Sequence, residues 1–596
     1  MNLTINPQFN LATAIICLLT FLSGCGGGDE SSTNAVPVPA VSLNANPISV
    51  DYNGSTTLSW NASNVDNCIA SGDWFGNQAS SGSIIMNNLV QDSTYTLNCT
   101  GSGGSISKSV SVSIRGDSAT TGSLGGNVDS SYINRSGTNN IYIYKGAVVP
   151  DDIDGDAVDP LYVAEVVQNE GGCEWSYILS GLTPGEYTVA FTNQGALDDS
   201  QQNDTLIFLG SSTLMITAGV NNKNIEPANI LRVGPGRAYA TPSAAAAVAN
   251  DGDVIEIDSG DYLDDVVVWR KNNLVLRGVG GRAHMKATQI IPYTSGNDRE
   301  NGMGIWVTRG SNIVVENIEF SGASVPDKNG AGIRVIGPGL TVCNTYFHDN
   351  ENGILGGAGT LTIEYSEFNH NGLGDYGRTH NIYVDGGNKL IFRHNYSHHA
   401  YIGHNLKSRA SENYVLYNRI MDEVDGRSSY AIDIPNGGLT YIIGNLIQQG
   451  TQTDNSSVVA YGAEGLLSGR IHDLYVVNNT FVNDYGAGRF LDINNGTANA
   501  KIINNIFTGG GDVKRGPGDL LTNLESSDAG LVNIDDFNYR LLASSAARNT
   551  GSDPGIGDGM DLTPAYQYVH MSMREVRFKD SHIDIGAYEY QPQFMR

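Results

Sequence analysis

From Leu231 onward the apolar residues fall in short β-like runs broken by Gly, Asn and Asp. Within them a unit recurs, with Asn or another small polar residue two places before an apolar one. It is seen at Asn418-Arg-Ile420, Asn445-Leu-Ile447, Asn479-Thr-Phe481 and Asn505-Ile-Phe507, and in degenerate copies ending at Phe320, Phe347, Phe368 and Ser397. The intervals run from 21 to 34 residues. A repeat of uneven length predicts a stacked solenoid whose coils differ in their loops. Short strands with alternate side chains inward, stacked about 4.8 Å apart, make a parallel β-helix. Asn at a repeated inward turn satisfies its amide on the Asn of the next coil, so those asparagines are expected to be structural. Tyr239–Asn250, with a Thr-Pro-Ser start and an Ala-rich body, reads as one short helix covering the otherwise unpaired first coil.

Before Leu231 the pattern is that of antiparallel β modules. Residues 41–116 alternate apolar and polar positions (TTLSW, STYTLNC, ISKSVSVSI) between Gly/Asn/Ser breaks, and residues 117–230 contain NIYIYKG and LSGLTPGEYTVAFTN. The first stretch resembles an immunoglobulin-like sandwich, with Cys68 and Cys99 in place for a disulfide between its sheets. The second resembles the prealbumin-like modules attached to secreted enzymes. Cys173 and Cys343 look unpaired, and their isolation argues against a zinc cluster. Asp151–Asp156 leaves room for calcium but lacks the later Glu of an EF-hand loop, so an acidic turn is expected.

At the N-terminus, Leu11–Leu22 is a twelve-residue uncharged run, too short for a bilayer span of about 20 residues. Leu22-Ser23-Gly24-Cys25 follows and resembles the bacterial lipobox, although no Lys or Arg precedes the run. The resemblance implies a signal peptide at 1–24, lipid on Cys25 and a tether at 25–40 leading to an outer-membrane lipoprotein. The β-helix is expected over 231–596, and Asp584-Ile-Gly-Ala-Tyr-Glu-Tyr590 resembles the closing segment of secreted bacterial β-helix proteins. Residues 231–590 thus resemble the right-handed parallel β-helix superfamily, which holds polysaccharide lyases and some hydrolases and epimerases. The overall expectation is an all-β chain, two small sandwiches followed by a right-handed parallel β-helix.

A second ladder brings in chemistry. Gly332-Ile-Arg-Val335, Gly353-Ile-Leu-Gly356, Asn381-Ile-Tyr-Val384, Asn405-Leu-Lys-Ser408 and Ala431-Ile-Asp-Ile434 fall in consecutive coils. With the aliphatic second residue inward, Arg334, Leu355, Tyr383, Lys407 and Asp433 form an outward row. The same phase turns Asn381 and Asn405 outward, puts Asp385 and Arg409 in the next row, and places His380 and His404 one step earlier. The chain as a whole carries 34 Lys+Arg against 62 Asp+Glu, a net −28, which argues against nucleic-acid binding. Arg378–Arg427 reverses that balance with seven Lys/Arg against five Asp/Glu, and holds five of the eleven His.

Gly403–Asn413, with Tyr417-Asn-Arg-Ile420, resembles the Lys-Ser…Asn strand of the chondroitinase-B/alginate-lyase β-helix family. That resemblance implies a Lys base at Lys407. Asp433 stands where the family has an assisting Arg, and Ala400 and Ile402 stand where acidic calcium ligands are expected, so Arg409 or Arg427 has to supply the missing charge. β-Elimination from a uronate polymer needs a group to neutralise the carboxylate, a base for the adjacent C–H and an acid for the leaving oxygen. Arg409 with Asn405, then Lys407 or His404, then Tyr383 fill those roles. Asn381, His380, Asp385 and Arg427 complete the expected substrate contacts. Two alternatives stay open, a glycoside hydrolase using Asp385 and Asp433 and a non-catalytic glycan-binding surface protein. A polysaccharide partner, a monomer and no certain cofactor are expected, with calcium left open and no metal ligand named.

Overall fold

The computed structural model describes residues 37–592, apart from 52–53, 90–91, 116–120, 136–137, 149–159, 170–171, 193–205, 209–213, 228, 293–302, 375–377 and 580. The signal and lipidation segment with Cys25, and the acidic turn Asp151–Asp156, lie outside the described residues. The chain forms two compact units that divide at Ala119/Thr120.

In the first unit, a three-stranded sheet (Ala40–Asn46, Gly54–Ser63, Ser81–Leu89) and a five-stranded sheet (Ser49–Asp51, Gly104–Arg115, Ser93–Gly101, Asn67–Gly72, Gly76–Gln78) enclose a core that includes Leu58, Trp60, Trp74, Tyr95 and Leu97. Cys68 and Cys99 are bonded. They sit directly opposite one another on neighbouring strands of the same sheet. The bridge expected between sheets is therefore a cross-strand bridge, and the space between the sheets is filled by Trp60 against Trp74, 5.2 Å between centroids.

The second unit begins with two small, mostly antiparallel sheets between Gly122 and Asn222 and continues as the β-helix. Cys173 and Cys343, expected to be free, are disulfide-bonded. They lie 170 residues apart, and only the packing of the small module onto strand Leu340–Cys343 brings them together. A buried ion cluster reinforces the junction. Arg135 reaches Glu316 at 3.0 Å and Glu364 at 3.1 Å, and Arg393 reaches Glu364 at 2.7 Å.

Each coil of the β-helix gives one strand to a ten-stranded parallel sheet and two to a longer one. The two strands of the longer sheet are separated by one or two residues, the first of them left-handed, at Asn317, Asn344, Tyr365, His394, Tyr417, Asn478 and Asn504 in successive or nearby coils. One positive-φ residue is enough to turn the chain without breaking the stack. The next residue points inward. From Asn395 through Asn418, Asn445, Asn479 and Asn505, each side-chain amide donates to the next Oδ1 at 2.9–3.1 Å. The repeat positions Phe320, Phe347, Phe368, Ser397, Ile420, Ile447, Phe481 and Phe507 pair in unbroken register. Phe320, Phe347 and Phe368 stack at 5.1 and 4.8 Å, nearly parallel.

The helix at the open end spans only Pro242–Ala246, with the Thr241 hydroxyl accepting from the Ala244 N–H. Ala245 and Ala249 pack with Val233 and Trp269 in the first-coil core. The tail Asp584–Tyr590 lies against later coils, where Gly586 N–H donates to Asn504 O and Ala587 N–H to Thr480 Oγ1. Among the described residues no helix is long and apolar enough to cross a membrane.

Candidate active site

The ten-stranded sheet carries the outward row. Ile333, Ile354, Ile382, Leu406, Ile432, Val459 and Leu491 fill the core of successive coils. Burial of about 1.5–3 kcal/mol per aliphatic side chain fixes that phase, and the residue after each then faces out. Arg334, Leu355, Tyr383, Lys407 and Asp433 pair rung upon rung. The row continues through Ala460 to Asp492, which Arg515 holds at 2.5 Å.

Around Lys407 five polar groups converge. Its ammonium lies 3.3 Å from Asp433 Oδ2 and 3.3 Å from Glu464 Oε1, and 5.3 Å from the centre of the Tyr383 ring. Arg409 Nε donates to Tyr383 Oη at 2.7 Å, its Nη2 meets Glu464 Oε2 at 2.7 Å, and its Nη1 donates to Asn436. Glu464 comes from the loop after strand Ser457–Tyr461. Its backbone N–H bonds Pro435 O, and the next residues bond Asn436. Sequence reasoning had little reason to prefer it over a turn residue. The signal available was an acidic residue in a Gly-Ala-Glu-Gly turn, little more than one coil after Asp433 and beyond the outward Lys407 and Arg409.

The histidines are locked. His380 Nδ1 accepts from the His404 N–H, and His404 Nδ1 accepts from the Tyr430 N–H. Each neutral ring therefore carries its proton on Nε2. His404 Nε2 faces Asp433 Oδ2 at 3.4 Å, and the two rings stack at 4.8 Å. Burial, with Lys407 and Arg409 nearby, lowers the His380 pKa to about 3. Burial, His380 and Lys407 hold His404 well below the ordinary imidazole range. Burial raises Asp433 to about 6 against the pull of Lys407. Glu464 is also desolvated, but its hydrogen bond to Arg409 and the charge of Lys407 outweigh this and lower its pKa.

Several expected contacts are not in this patch. Asn381 and Asn405 are fully buried. They belong to a second internal ladder, Asn350–Asn371–Asn381–Asn405, whose amides donate to the next Oδ1 at 2.9–3.0 Å and finally to Asp422 at 3.1 Å. They stand at the corner just before strands Ile382–Val384 and Leu406–Ser408, where alternation does not yet apply. The equivalent Gly332 and Gly353 confirm the direction, since a Cβ there would meet Phe320, Phe347 and Phe368 in the core. Asp385 is exposed and pairs loosely with Arg334 at 3.9 Å. Arg427 turns to Tyr401 and Gln452. His394, His398 and His399 face the other sheet with Tyr417, Tyr396 and Glu423, so the basic surplus of 378–427 is split between two faces.

Calcium does not fit this patch. The positions before Lys407 are Ala400 and Ile402, and the carboxylates present are already paired to Lys407 and Arg409. A cleft of about 920 Å³ lies elsewhere, between Ser130–Arg135 and the long sheet near Asn312, Thr341 and Thr362. Its one charged lining residue, Arg135, is committed to Glu316 and Glu364.

No curated protein matches the chain. Among solved structures, pectate lyase Pel9A is similar at 16% identity and a TM-score of 0.40, over 62% of this chain and 98% of that one. Residues 293–447 match the family model described as "Right handed beta helix region". The coils that carry Tyr383, Lys407 and Asp433 thus belong to a right-handed parallel β-helix.

Proposed function

We propose that the chain cleaves an acidic, uronate-containing polysaccharide by β-elimination at the Lys407 patch. The observation that carries this is the grip of Lys407 and Arg409 on one carboxylate, that of Glu464. A uronate carboxylate offers the same charge and the same two oxygens, and a half-exposed loop Glu is the group it would displace. Arg409, with its fixed fork of donors, neutralises the substrate carboxylate and makes the adjacent C–H more acidic. Lys407 acts as base after handing a proton to Asp433, the carboxylate beside it whose buried position favours protonation. Its free amine then takes the C–H proton as the double bond forms. Tyr383 protonates the departing oxygen, and its phenolate is stabilised by Arg409 Nε. His404 is a poorer base, because both ring nitrogens are already engaged.

The assay is incubation with uronate polymers while following the absorbance of unsaturated products. Tyr383→Phe keeps the ring over Lys407 and removes only Oη, and should lower kcat by about 10²–10⁴-fold. Full turnover by Lys407→Ala, or no unsaturated product from any uronate polymer despite binding, would sink the mechanism.

One observation favours a second reading. Asp433 and Glu464 flank one ammonium with pKa values displaced in opposite directions, the pattern of an acid paired with an ionised partner. A glycoside hydrolase would use that pair, in place of Asp385 with Asp433, and would release reducing ends without a double bond. Export, with an anchor at Cys25, belongs to the same proposal. It is supported by two disulfides, which persist in oxidising compartments.

A further inference from the structure

On the long sheet, away from the Lys407 patch, three side chains from three successive coils converge. His284 is on strand Val275–Lys286, Glu319 on Ile318–Ser321 and His348 on Tyr346–His348. Register puts His284 beside Glu319 and Ser321 beside His348. One nitrogen of each ring and one Glu319 oxygen all lie within 4.8 Å of one another. We propose that this trio binds a borderline divalent metal ion of the Zn²⁺ class and clamps the three coils.

The outer partners argue for an ion. His284 Nδ1 lies 3.0 Å from Asp261 and His348 Nδ1 lies 2.7 Å from Asp349. A carboxylate that accepts a hydrogen bond from Nδ1–H keeps the ring proton there and leaves the lone pair on Nε2, the arrangement that orients metal-binding histidines. Both Nε2 atoms then face Glu319 Oε1, at 3.6 Å from His284 and 3.0 Å from His348. A lone pair and a carboxylate facing each other repel, and a positive charge between them, supplied by a second proton on the ring or by a metal, relieves this. The Ser321 hydroxyl, 2.7 Å from His284 Nε2, can donate to that lone pair until the ion takes it.

Size and chemistry narrow the ion. Metal–ligand bonds of about 2.0–2.1 Å in a tetrahedron give ligand–ligand edges of about 3.4 Å, and the two Nε2–Oε1 separations bracket that value. Two imidazoles and one carboxylate suit Zn²⁺ and its transition-metal neighbours rather than Ca²⁺, which takes six to eight oxygens. The side chains are partly covered, at 14%, 27% and 19% exposed for His284, Glu319 and His348, leaving a fourth position for water. The sequence spreads the ligands over 64 residues with no ligand-spacing motif, so only the coil register reveals them.

The test uses the full chain, stripped with chelator and titrated with Zn²⁺ by calorimetry. One equivalent should bind. Asp349→Asn should weaken binding about 10–100-fold, and His348→Ala or Glu319→Gln should abolish it. His399→Ala, in the separate His398–His399–Glu423 cluster, should change nothing. Circular dichroism in metal-free buffer establishes that each variant is folded. X-ray absorption on the Zn²⁺-loaded wild-type protein, independent of any variant, should show imidazole scattering. Absence of stoichiometric binding, binding that survives both ligand substitutions, or a shell of oxygen alone would overturn the proposal.

Discussion

Replacing Asp433 with asparagine should make the β-helix more stable at neutral and alkaline pH, by an amount that follows from its environment. The residue is 3% exposed, and burial raises its pKa from 3.8 to about 6, net of the opposing pull of Lys407. Between those values the native chain holds a proton that the unfolded chain has released. Stability therefore falls as pH rises through this window, and the whole cost is present above about pH 6. At about 1.4 kcal/mol per unit the cost is about 3 kcal/mol, of which about 2 kcal/mol develops between about pH 4.5 and about pH 8. Asparagine keeps the shape and does not titrate. The stability difference between variant and wild type should thus move in the variant's favour by about 2 kcal/mol over that range.

The measurement is urea unfolding followed by far-ultraviolet circular dichroism at the two pH values. A difference that stays flat with pH, or turns against the variant at the higher one, would refute the argument that burial outweighs Lys407 at this carboxylate. The same substitution should abolish turnover, since it removes the group that accepts the Lys407 proton. Gain of stability with loss of activity is the expected signature of a charge kept buried for chemistry rather than for folding.

Three further substitutions probe the scaffold. Arg135→Ala leaves Glu316 and the fully buried Glu364 short of a partner, and should cost about 3–5 kcal/mol, seen as a lowered urea midpoint. Cys343→Ser opens the link between the small module and the β-helix and should cost roughly 2–5 kcal/mol. Reductant should then lower the thermal midpoint of the second unit in wild type but not in the variant. Asn445→Ala removes a group that donates to Asn479 Oδ1 and Val415 O and accepts from the Asn418 amides. The loss should be about 1–3 kcal/mol for each buried group left unpaired, again read from the urea midpoint.

The coil register was readable because stacking makes it periodic. One inward aliphatic in each coil sets the phase for its neighbours, so Tyr383, Lys407 and Asp433 could be aligned from sequence and pair as expected. The same reasoning misplaced Asn381 and Asn405 because the strands are three residues long and the corner begins one residue earlier. Period-2 alternation holds inside a strand and says nothing about the turn that feeds it. The features that stayed hidden share a different cause. Glu464 reaches Lys407 from a loop 57 residues on, and Cys173 reaches Cys343 across 170. Glu464 lies in a loop and Cys173 in a separate module, outside the repeated strands, so no local pattern encodes either contact. His284, Glu319 and His348 fall between these cases. They do sit on the repeat, Glu319 and His348 on the same strands as the inward Phe320 and Phe347 but facing the other way, and their shared side of the sheet follows only once each bend is located. In a solenoid of uneven coils, residues within a strand can be placed by counting, whereas sites built from loops or across modules depend on loop lengths that the repeat leaves free.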